Sequence, residues 1–248
     1  MDRAPPTLVG CAGWSLSSAV AGHFPAEGSH LERYAQVLPA VELNSSFYRP
    51  HRPATYARWR DSVPEAFRFS VKLPRVLTHE QRLRGDVQAP LARFLEEAGS
   101  LGAKLGCVLV QLPPSLHFEP EAAGPFFQAL RARTAVDVVC EPRHATWASE
   151  EALALLAQWR VDLVRADPQV VPVGPPPRAV AYYRLHGSPK VYHSEYTEPY
   201  LDALAARLAE HRQAGRRTWC IFDNTASGAA QPNALSLLRR MREGAPGP

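Results

Sequence analysis

Charged side chains at alternate positions stand out near the ends of several short apolar runs in this sequence. Glu42 and Glu141 lie near the ends of two such runs, and Arg184 and His186 share a third. Residues i and i+2 of a β-strand point to the same face, so we expect Arg184 and His186 to face one space. Histidine titrates near neutral pH and suits proton transfer, with Glu141 as its partner acid or base. The grouping predicts acid–base chemistry.

Further polar residues occupy equivalent places in other runs. Glu42 and Asp223 join Glu141 and His186 as predicted catalytic side chains. Arginine grips phosphate and carboxylate groups with two parallel hydrogen bonds, which favours a small anionic substrate. The predicted substrate-binding residues are Trp14, Asn44, Tyr48, Lys72, Gln111, Arg143, Asp167, Arg184 and Asn224. The glycine- and serine-containing segment 223–233, placed before a predicted helix, is a second candidate for holding an anion.

These residues need strands to position them, and eight runs have strand composition. The predicted strands are Thr7–Trp14, Ala40–Phe47, Arg68–Leu73, Cys107–Leu112, Val136–Glu141, Val161–Asp167, Val180–His186 and Thr218–Asn224. Helical periodicity falls between most of them. The predicted helices are His30–Leu38, Ala54–Ser62, Asp86–Ser100, Pro120–Ala132, Ser149–Trp159, Glu198–Ala214 and Ala234–Arg242. Ser149 is an expected N-cap, and Gly215 is expected just past a helix C-terminus.

Repeated strand–helix alternation predicts a parallel sheet, and eight units in 248 residues fit a TIM (β/α)8 barrel. We expect a single domain over residues 1–248. The sixth helix is expected to be replaced by a proline-rich loop between Pro168 and Pro177, because proline lacks an amide donor and clashes in a helix. An open doubly wound sheet is the alternative, and it is disfavoured because no glycine-rich nucleotide motif appears.

Composition narrows the class of protein. The net charge of +4 is mildly basic, and no apolar run reaches the roughly 18 residues of a membrane helix. The first residues lack the apolar region of a secretion signal, so a cytoplasmic location and no membrane partner are expected. The four cysteines are widely spaced, which gives no zinc or redox motif. We interpret them as small buried residues, with a nucleophilic Cys11 or Cys140 as the alternative.

Several functions remain open at this point. No cofactor is predicted, because no cofactor fingerprint appears, and a hydrolase or isomerase is favoured over a redox enzyme. A divalent metal on the acidic strand ends is a second version of the enzyme hypothesis. A non-enzymatic barrel that binds nucleic acid is a third hypothesis, motivated by the basic pI of about 9.0. A glycosidase is disfavoured, because Gln111 and His186 stand on the strands where such barrels carry their two carboxyl groups.

The order of several short motifs resembles the YecE-like family, the domain of unknown function seventy-two. The matching segments are Val9–Trp14, Val41–Tyr48, Phe69–Lys72, Thr78–His79, Gln111–Ser115, Glu141–His144 with Trp147, Tyr183–Gly187 and Phe222–Thr225. They span nearly the whole chain. The resemblance implies a TIM-type barrel and carries no established activity. Cys11 and Ala12 stand where relatives often have threonine or serine.

Overall fold

The computed structural model describes residues 5–172 and 176–243, and its strands follow the apolar runs of the sequence. Neighbouring strands pair in parallel in chain order, and the eighth strand closes on the first, with Thr7 opposite Thr218. The strands are β1 (Thr7–Ala12), β2 (Ala40–Leu43), β3 (Arg68–Lys72), β4 (Leu105–Gln111), β5 (Asp137–Glu141), β6 (Val161–Asp167), β7 (Val180–Leu185) and β8 (Arg217–Phe222). The predicted closed barrel is confirmed.

Helices follow every strand except β6 within the described residues. They are α1 (His30–Ala35), α2 (Ser45–Tyr48), α3 (Pro53–Asp61), α4 (Gln88–Gly99), α5 (Pro120–Arg131), α6 (Glu150–Gln158), α7 (Glu198–Gln213) and α8 (Ala230–Glu243). The predicted cap of α6 is confirmed, because the hydroxyl of Ser149 accepts a hydrogen bond from the Ala152 amide at 3.2 Å. Gly215 follows α7 with a φ of +74°, a value that favours glycine.

The predicted boundaries are wrong at two places that matter for the site. The second strand was expected to reach Phe47, but β2 ends at Leu43 and the chain turns into α2. The last helix was expected to begin at Ala234, whereas α8 begins at Ala230. A π-helical turn over Val76–Glu80 was not predicted.

The barrel interior contains an apolar layer below the charged strand ends. This layer consists of Leu8, Ala40, Cys107, Leu109, Val139, Val180, Tyr182, Trp219 and Ile221. The indole of Trp219 fills so much of the space that a Cβ at Gly106 would lie 2.8 Å from it, which explains the glycine in β4. A second, larger core lies between the strands and the helices. Apolar side chains therefore fill the lower part of the barrel. An active site of this fold would lie above them, at the C-terminal ends of the strands.

The connection from β6 to β7 differs from the other six strand-to-strand connections. No helix occurs among its described residues, in agreement with the prediction, while Val173, Gly174 and Pro175 lie outside the described residues. Five of the seven residues of β6 are partly exposed, whereas β2 and β7 are buried throughout. The carboxylate of Asp162 accepts hydrogen bonds from the amides of Arg178, Ala179 and Val180 at 2.7, 3.1 and 2.9 Å. It anchors the loop as it enters β7.

Two further features agree with the composition. All four cysteines are free and buried, and burial raises the pKa of the Cys11 thiol to about 12. A thiol in that environment stays protonated and packs as a small apolar group. Within the described chain, none of the helices combines the length and the apolar character needed to cross a bilayer.

The loop anchor gives a first prediction. Replacing Asp162 by alanine leaves three amides without their acceptor, so we expect the free energy of unfolding to fall by about 2–4 kcal/mol, since bonds to a charged group contribute about 1.5–3 kcal/mol each and the freed amides can partly reach water. Urea unfolding measures the change. The matched control is Glu96→Ala on the exposed face of α4, which should change stability little. Equal effects of the two substitutions would show that Asp162 anchors nothing.

Candidate active site

The guanidinium of Arg184 lies at the centre of the C-terminal end of the barrel. Its Nε and Nη2 donate to the carboxylate of Glu42 at 3.0 and 2.7 Å. Nη1 donates to Glu141 Oε2 at 2.9 Å, and Nη2 lies 2.9 Å from Asp223 Oδ2. The Arg184 side chain is 2% exposed, and Glu42 is fully buried. One cation therefore contacts three carboxylates that come from three different strands or strand ends.

His186 lies between two of the same carboxylates. Nδ1 is 3.0 Å from Asp223 Oδ2, and Nε2 is 3.0 Å from Glu141 Oε1. Burial opposes protonation of the ring, but the hydrogen bonds to Asp223 and Glu141 outweigh burial and raise the pKa of His186. Carboxylates only accept hydrogen bonds when ionised, so each of these two favours a proton on the ring nitrogen that it faces, and at Nε2 this acts against the Arg143 Nη2 donor 3.2 Å away. His186 is thus held as an imidazolium over a wider pH range than a free histidine.

The two carboxyl groups around His186 are held ionised. Burial of Glu141 opposes its ionisation, but Arg184, His186 and Arg143 outweigh burial and keep the pKa of Glu141 well below its usual range. Burial also opposes ionisation of Asp223, and Arg184 and His186 again outweigh it, so its pKa is lowered. In the resting cluster the available acidic proton therefore belongs to His186, while Glu141 and Asp223 are its acceptors.

Arg143 connects this cluster to the outside. Its Nη2 and Nε donate to Glu141 Oε1 at 2.8 and 3.1 Å, and its side chain is 19% exposed. It follows β5 directly and is the most exposed cation in the hydrogen-bonded network. With His186 and Lys72 protonated, the four basic groups exceed the three carboxylates by one unit of positive charge. An anion arriving at this end of the barrel would therefore meet an excess of positive charge.

Lys72, the last residue of β3, lies beside this network without joining it. Its Nζ is 4.0 Å from the centroid of the Phe47 ring, and the residue is 7% exposed. No described residue forms a hydrogen bond or an ion pair with Nζ. Burial, followed by repulsion from Arg184, lowers the pKa of Lys72 to about 8 against the attraction of the nearby carboxylates. Its amine is consequently easier to deprotonate than that of a surface lysine.

Two hydroxyl groups below the cluster were not among the predicted site residues. The Tyr182 hydroxyl lies 2.8 Å from both Glu42 Oε2 and Ser70 Oγ, so it can donate its one proton to the carboxylate and accept from the serine. Burial raises the pKa of Tyr182, so the phenol remains a donor. The signal was available in the sequence, because Tyr182 shares the inward face of β7 with Arg184 and His186. These two hydroxyls fix the position of Glu42.

The predicted orientation of the sixth strand is wrong. Asp167 was expected to face the site, but Ala166 pairs with Arg184, so Val164 and Ala166 face inward. Asp167 instead accepts a hydrogen bond from the Tyr196 hydroxyl at 2.7 Å on the outer side. Asp167 is therefore not placed with the other substrate-binding candidates.

Four other candidates lie around the cluster in different ways. Gln111 pairs with Glu141 in the β4–β5 ladder, is 8% exposed, and receives no side-chain hydrogen bond from any described residue. Asn44 precedes α2, and its buried Oδ1 has no partner within residues 5–172 and 176–243. Tyr48 is 72% exposed. Trp14 packs edge-on against Trp59 of α3, with ring centroids 5.2 Å apart.

The side chain of Asn224 forms hydrogen bonds within the protein. The Asn224 side chain is fully buried and donates to the Ser194 carbonyl at 2.9 Å and to Asn233 Oδ1 at 3.0 Å. Asn233 in turn accepts from the Tyr196 amide at 3.1 Å. These bonds join the loops after β7 and β8. The predicted anion cradle over residues 223–233 stays a prediction.

A groove outside β6 opens beside the cluster. It occupies the place where a helix covers the other strands, and its apolar walls come from α6, β6 and the described part of the proline-rich loop. At one end it reaches Glu141, Arg143 and His186. The absence of a regular sixth helix therefore opens a route to the proton-bearing side chains.

The acidic groups do not form an evident metal site in this arrangement. Among the residues that the structure describes, no group of three or more histidine, cysteine, aspartate and glutamate side chains is placed to hold a metal ion. The position where Glu42, Glu141 and Asp223 converge is taken by the Arg184 guanidinium, which makes the contacts that a cation would make.

Comparison with known proteins agrees with this architecture. The sequence matches the family model described as a protein of unknown function, DUF72, over residues 8–247. The chain belongs to the DUF72 family. The UPF0759 protein YunF of Bacillus subtilis is 24% identical, with 93% of each chain covered, and YecE of Escherichia coli K12 is 30% identical over 42% of this chain and 41% of its own. The resemblance drawn from the motifs is confirmed.

Solved structures of DUF72 proteins share the fold. One from Thermotoga maritima has a TM-score of 0.80 at 24% identity and covers 95% of this chain and 99% of its own. One from Enterococcus faecalis has a TM-score of 0.79 at 21% identity and covers 98% of both chains. At this level of identity the likeness shows the barrel, and the chemistry of this DUF72 protein must be argued from its own residues.

The environment of His186 predicts a pH dependence of stability. A folded-state pKa raised above the unfolded value near 6.5 gives stability that is complete below about pH 6.5 and is lost as pH rises through the folded value. As pH rises from 6.5 through the folded-state value, the wild type should therefore lose stability relative to His186→Gln, by about 1.4 kcal/mol for each unit by which folding raises the pKa. Urea unfolding at several pH values measures both slopes.

Asp223→Asn is a second variant for this test. It removes one negative charge beside His186, so the stability of this variant should depend less steeply on pH than that of the wild type. Parallel curves for the wild type and His186→Gln over this range would contradict the imidazolium assignment.

Proposed function

We propose that this DUF72 protein is an enzyme that acts on a small anionic substrate by acid–base chemistry. The observation that carries the proposal is the buried, hydrogen-bonded set of Glu141, His186, Asp223 and Arg184 at the C-terminal end of the barrel. Active sites of TIM barrels lie at that end, on residues contributed by several strands. Proton transfer is what this set supports, which fits a hydrolase or an isomerase.

His186 is the proposed general acid. Its raised pKa keeps it protonated in the resting state, and two carboxylates orient its ring. A proton donor held in a fixed orientation contributes about 10²–10⁴-fold to a reaction rate. Glu141 is the proposed partner, because its Oε1 lies 3.0 Å from Nε2 and accepts a hydrogen bond from the protonated ring. Glu42 and Asp223 hold Arg184 and His186 in place.

Arg143 and Lys72 are the proposed anion-binding groups. Arg143 is the partly exposed cation of the network, and Lys72 has no ion-pair partner among the described residues. A phosphate or carboxylate group would supply the missing negative charge of the cluster and receive charge-assisted hydrogen bonds. Gln111, whose amide is unpaired among the described residues, is placed on the neighbouring strand to orient the rest of the substrate.

A purely structural role explains this arrangement less well. Burying ionised groups costs several kcal/mol per ion, and well-packed apolar residues of similar volume are often equally stabilising. The lower layer of the same barrel is filled with apolar side chains, so this fold can also be packed without buried charges. A charged layer restricted to the end with the groove is what a site for a ligand requires.

A thermal-shift screen tests the proposal. The probes are inorganic phosphate, sugar phosphates, 2-oxo acids, nucleotides, short oligonucleotides and divalent metals. A ligand present at about 100 times its Kd contributes about 2.7 kcal/mol, which for a chain of this size raises Tm by about 5–10 °C. We expect a small anion to give such a shift, and Glu141→Gln and His186→Ala to abolish it while unfolding stays cooperative.

Asp167→Asn is the matched control, because Asp167 also ends a strand but lies on the outer side, and it should keep the shift. If Glu141→Gln and His186→Ala both unfold the protein, the cluster is scaffold and the proposal fails. An oligonucleotide shift that weakens steeply with salt would indicate a nucleic-acid-binding barrel instead.

A further inference from the structure

Lysine is scarce in this chain, and its location at the site is therefore informative. Only three of the 28 lysine and arginine residues are lysines, namely Lys72, Lys104 and Lys190. Lys104 donates to the carbonyl oxygens of Arg60 and Val63 at 2.8 and 2.7 Å, which is a structural role. Lys190 is exposed. Where a permanent cation is enough, this chain uses arginine, so a lysine at the mouth of the barrel suggests a role that arginine cannot fill.

An amine differs from a guanidinium because it can lose its proton and become a nucleophile. The Nζ of Lys72 is suited to this, because it is buried and no described residue pairs with it. The centroid of the Phe47 ring lies 4.0 Å from Nζ, and this ring offers a π face and no acceptor oxygen. That face stabilises a positive charge on nitrogen, whether the nitrogen belongs to an ammonium or to an iminium ion.

Burial makes the amine of Lys72 easier to deprotonate than that of an exposed lysine. Burial and Arg184 lower the pKa of Lys72 to about 8, although Glu42, Glu141 and Asp223 act in the opposite direction. Lys72 in turn contributes to the lowered pKa of His79, so these two basic groups lie close to each other. At pH 7 about a tenth of Lys72 would be neutral, which is about 300-fold more than for a lysine with an unperturbed pKa.

We propose that Lys72 is a nucleophile that forms a Schiff base with a small anionic aldehyde or ketone. This inference rests on the proposed function and narrows its substrate to carbonyl compounds that carry a carboxylate or a phosphate. The neutral Nζ forms a bond to the carbonyl carbon while the carbonyl oxygen gains a proton. Water then leaves, carrying one proton from the amine and one from His186 or solvent, and the nitrogen lone pair completes the C=N bond.

The surrounding residues fit the two halves of that reaction. His186 holds a proton for the departing oxygen, and Arg143 is placed to hold the anionic group. The product is a protonated imine, whose positive charge draws electrons from the neighbouring carbon–carbon and carbon–hydrogen bonds. No oxidant or reductant is needed, because the step exchanges one molecule of water for the C=N bond.

Reductive trapping of the full-length protein tests the proposal. Formaldehyde or glyoxylate is added with sodium cyanoborohydride at pH 7, and peptide mass mapping follows labelling at Lys72, Lys104 and Lys190. We expect Lys72 to be labelled about 10-fold faster than exposed Lys190, because its neutral fraction is larger even though its access is restricted. The ratio of the Lys72 rate to the Lys190 rate should be greater with anionic glyoxylate than with formaldehyde. The Lys72 rate should rise with pH and level off above about pH 8.

Lys72→Arg should lose the adduct, because a guanidinium does not form the imine. Lys72→Met serves if arginine disturbs packing, and Lys190→Arg should leave labelling at Lys72 unchanged. A Lys72 rate equal to or below that of Lys190 with both probes overturns the proposal. A phosphate shift with an unreactive Lys72 would refute this inference alone, whereas the loss of every anion-induced shift in the wild type would refute the proposed function.

Discussion

The ion pairs of Arg184 set the properties of every other group at the end of the barrel. Its guanidinium contacts Glu42, Glu141 and Asp223, and so allows three carboxylates to stay ionised while buried. Two of these carboxylates then raise the pKa of His186. The same positive charge acts against protonation of Lys72. One buried arginine thus keeps ionised the carboxylates that hold a proton on His186, against its own repulsion of the ring, and it adds to the burial that lowers the pKa of Lys72.

Access to these groups depends on the sixth unit of the barrel. A helix over β6 would bury its outer face, as helices bury the faces of the other strands. The proline-rich connection leaves β6 partly exposed and opens the groove that reaches Arg143 and His186. The loop still has to return to the barrel accurately, and Asp162 achieves this through three amide hydrogen bonds. The opening and its anchor are therefore two consequences of one local departure from the regular fold.

The sequence predicted the barrel and most of the cluster because seven strands have helices on their outer faces. Under that cover polar residues mark the inward face, so Glu42, Glu141, Arg184, His186 and Asp223 could be assigned by alternation alone. The rule fails at β6, where an uncovered outer face tolerates Arg165 and Asp167 as readily as the inner face does. Alternation also could not show that β2 stops at Leu43, because the following turn into α2 depends on tertiary contacts such as the bond from Ser46 Oγ to the Lys72 carbonyl.

The contrast between the two tiers of the barrel bears on whether the charges serve function or stability. The lower tier closes around Trp219 and its apolar neighbours and needs no ions. The upper tier contains Arg184 at 2% exposure, yet it also contains a lysine that pairs with no described residue and a glutamine whose amide is unpaired there. A network built only to hold the fold would be expected to pair its members with one another. The unpaired groups lie beside the mouth, where a bound anion would complete their hydrogen bonds.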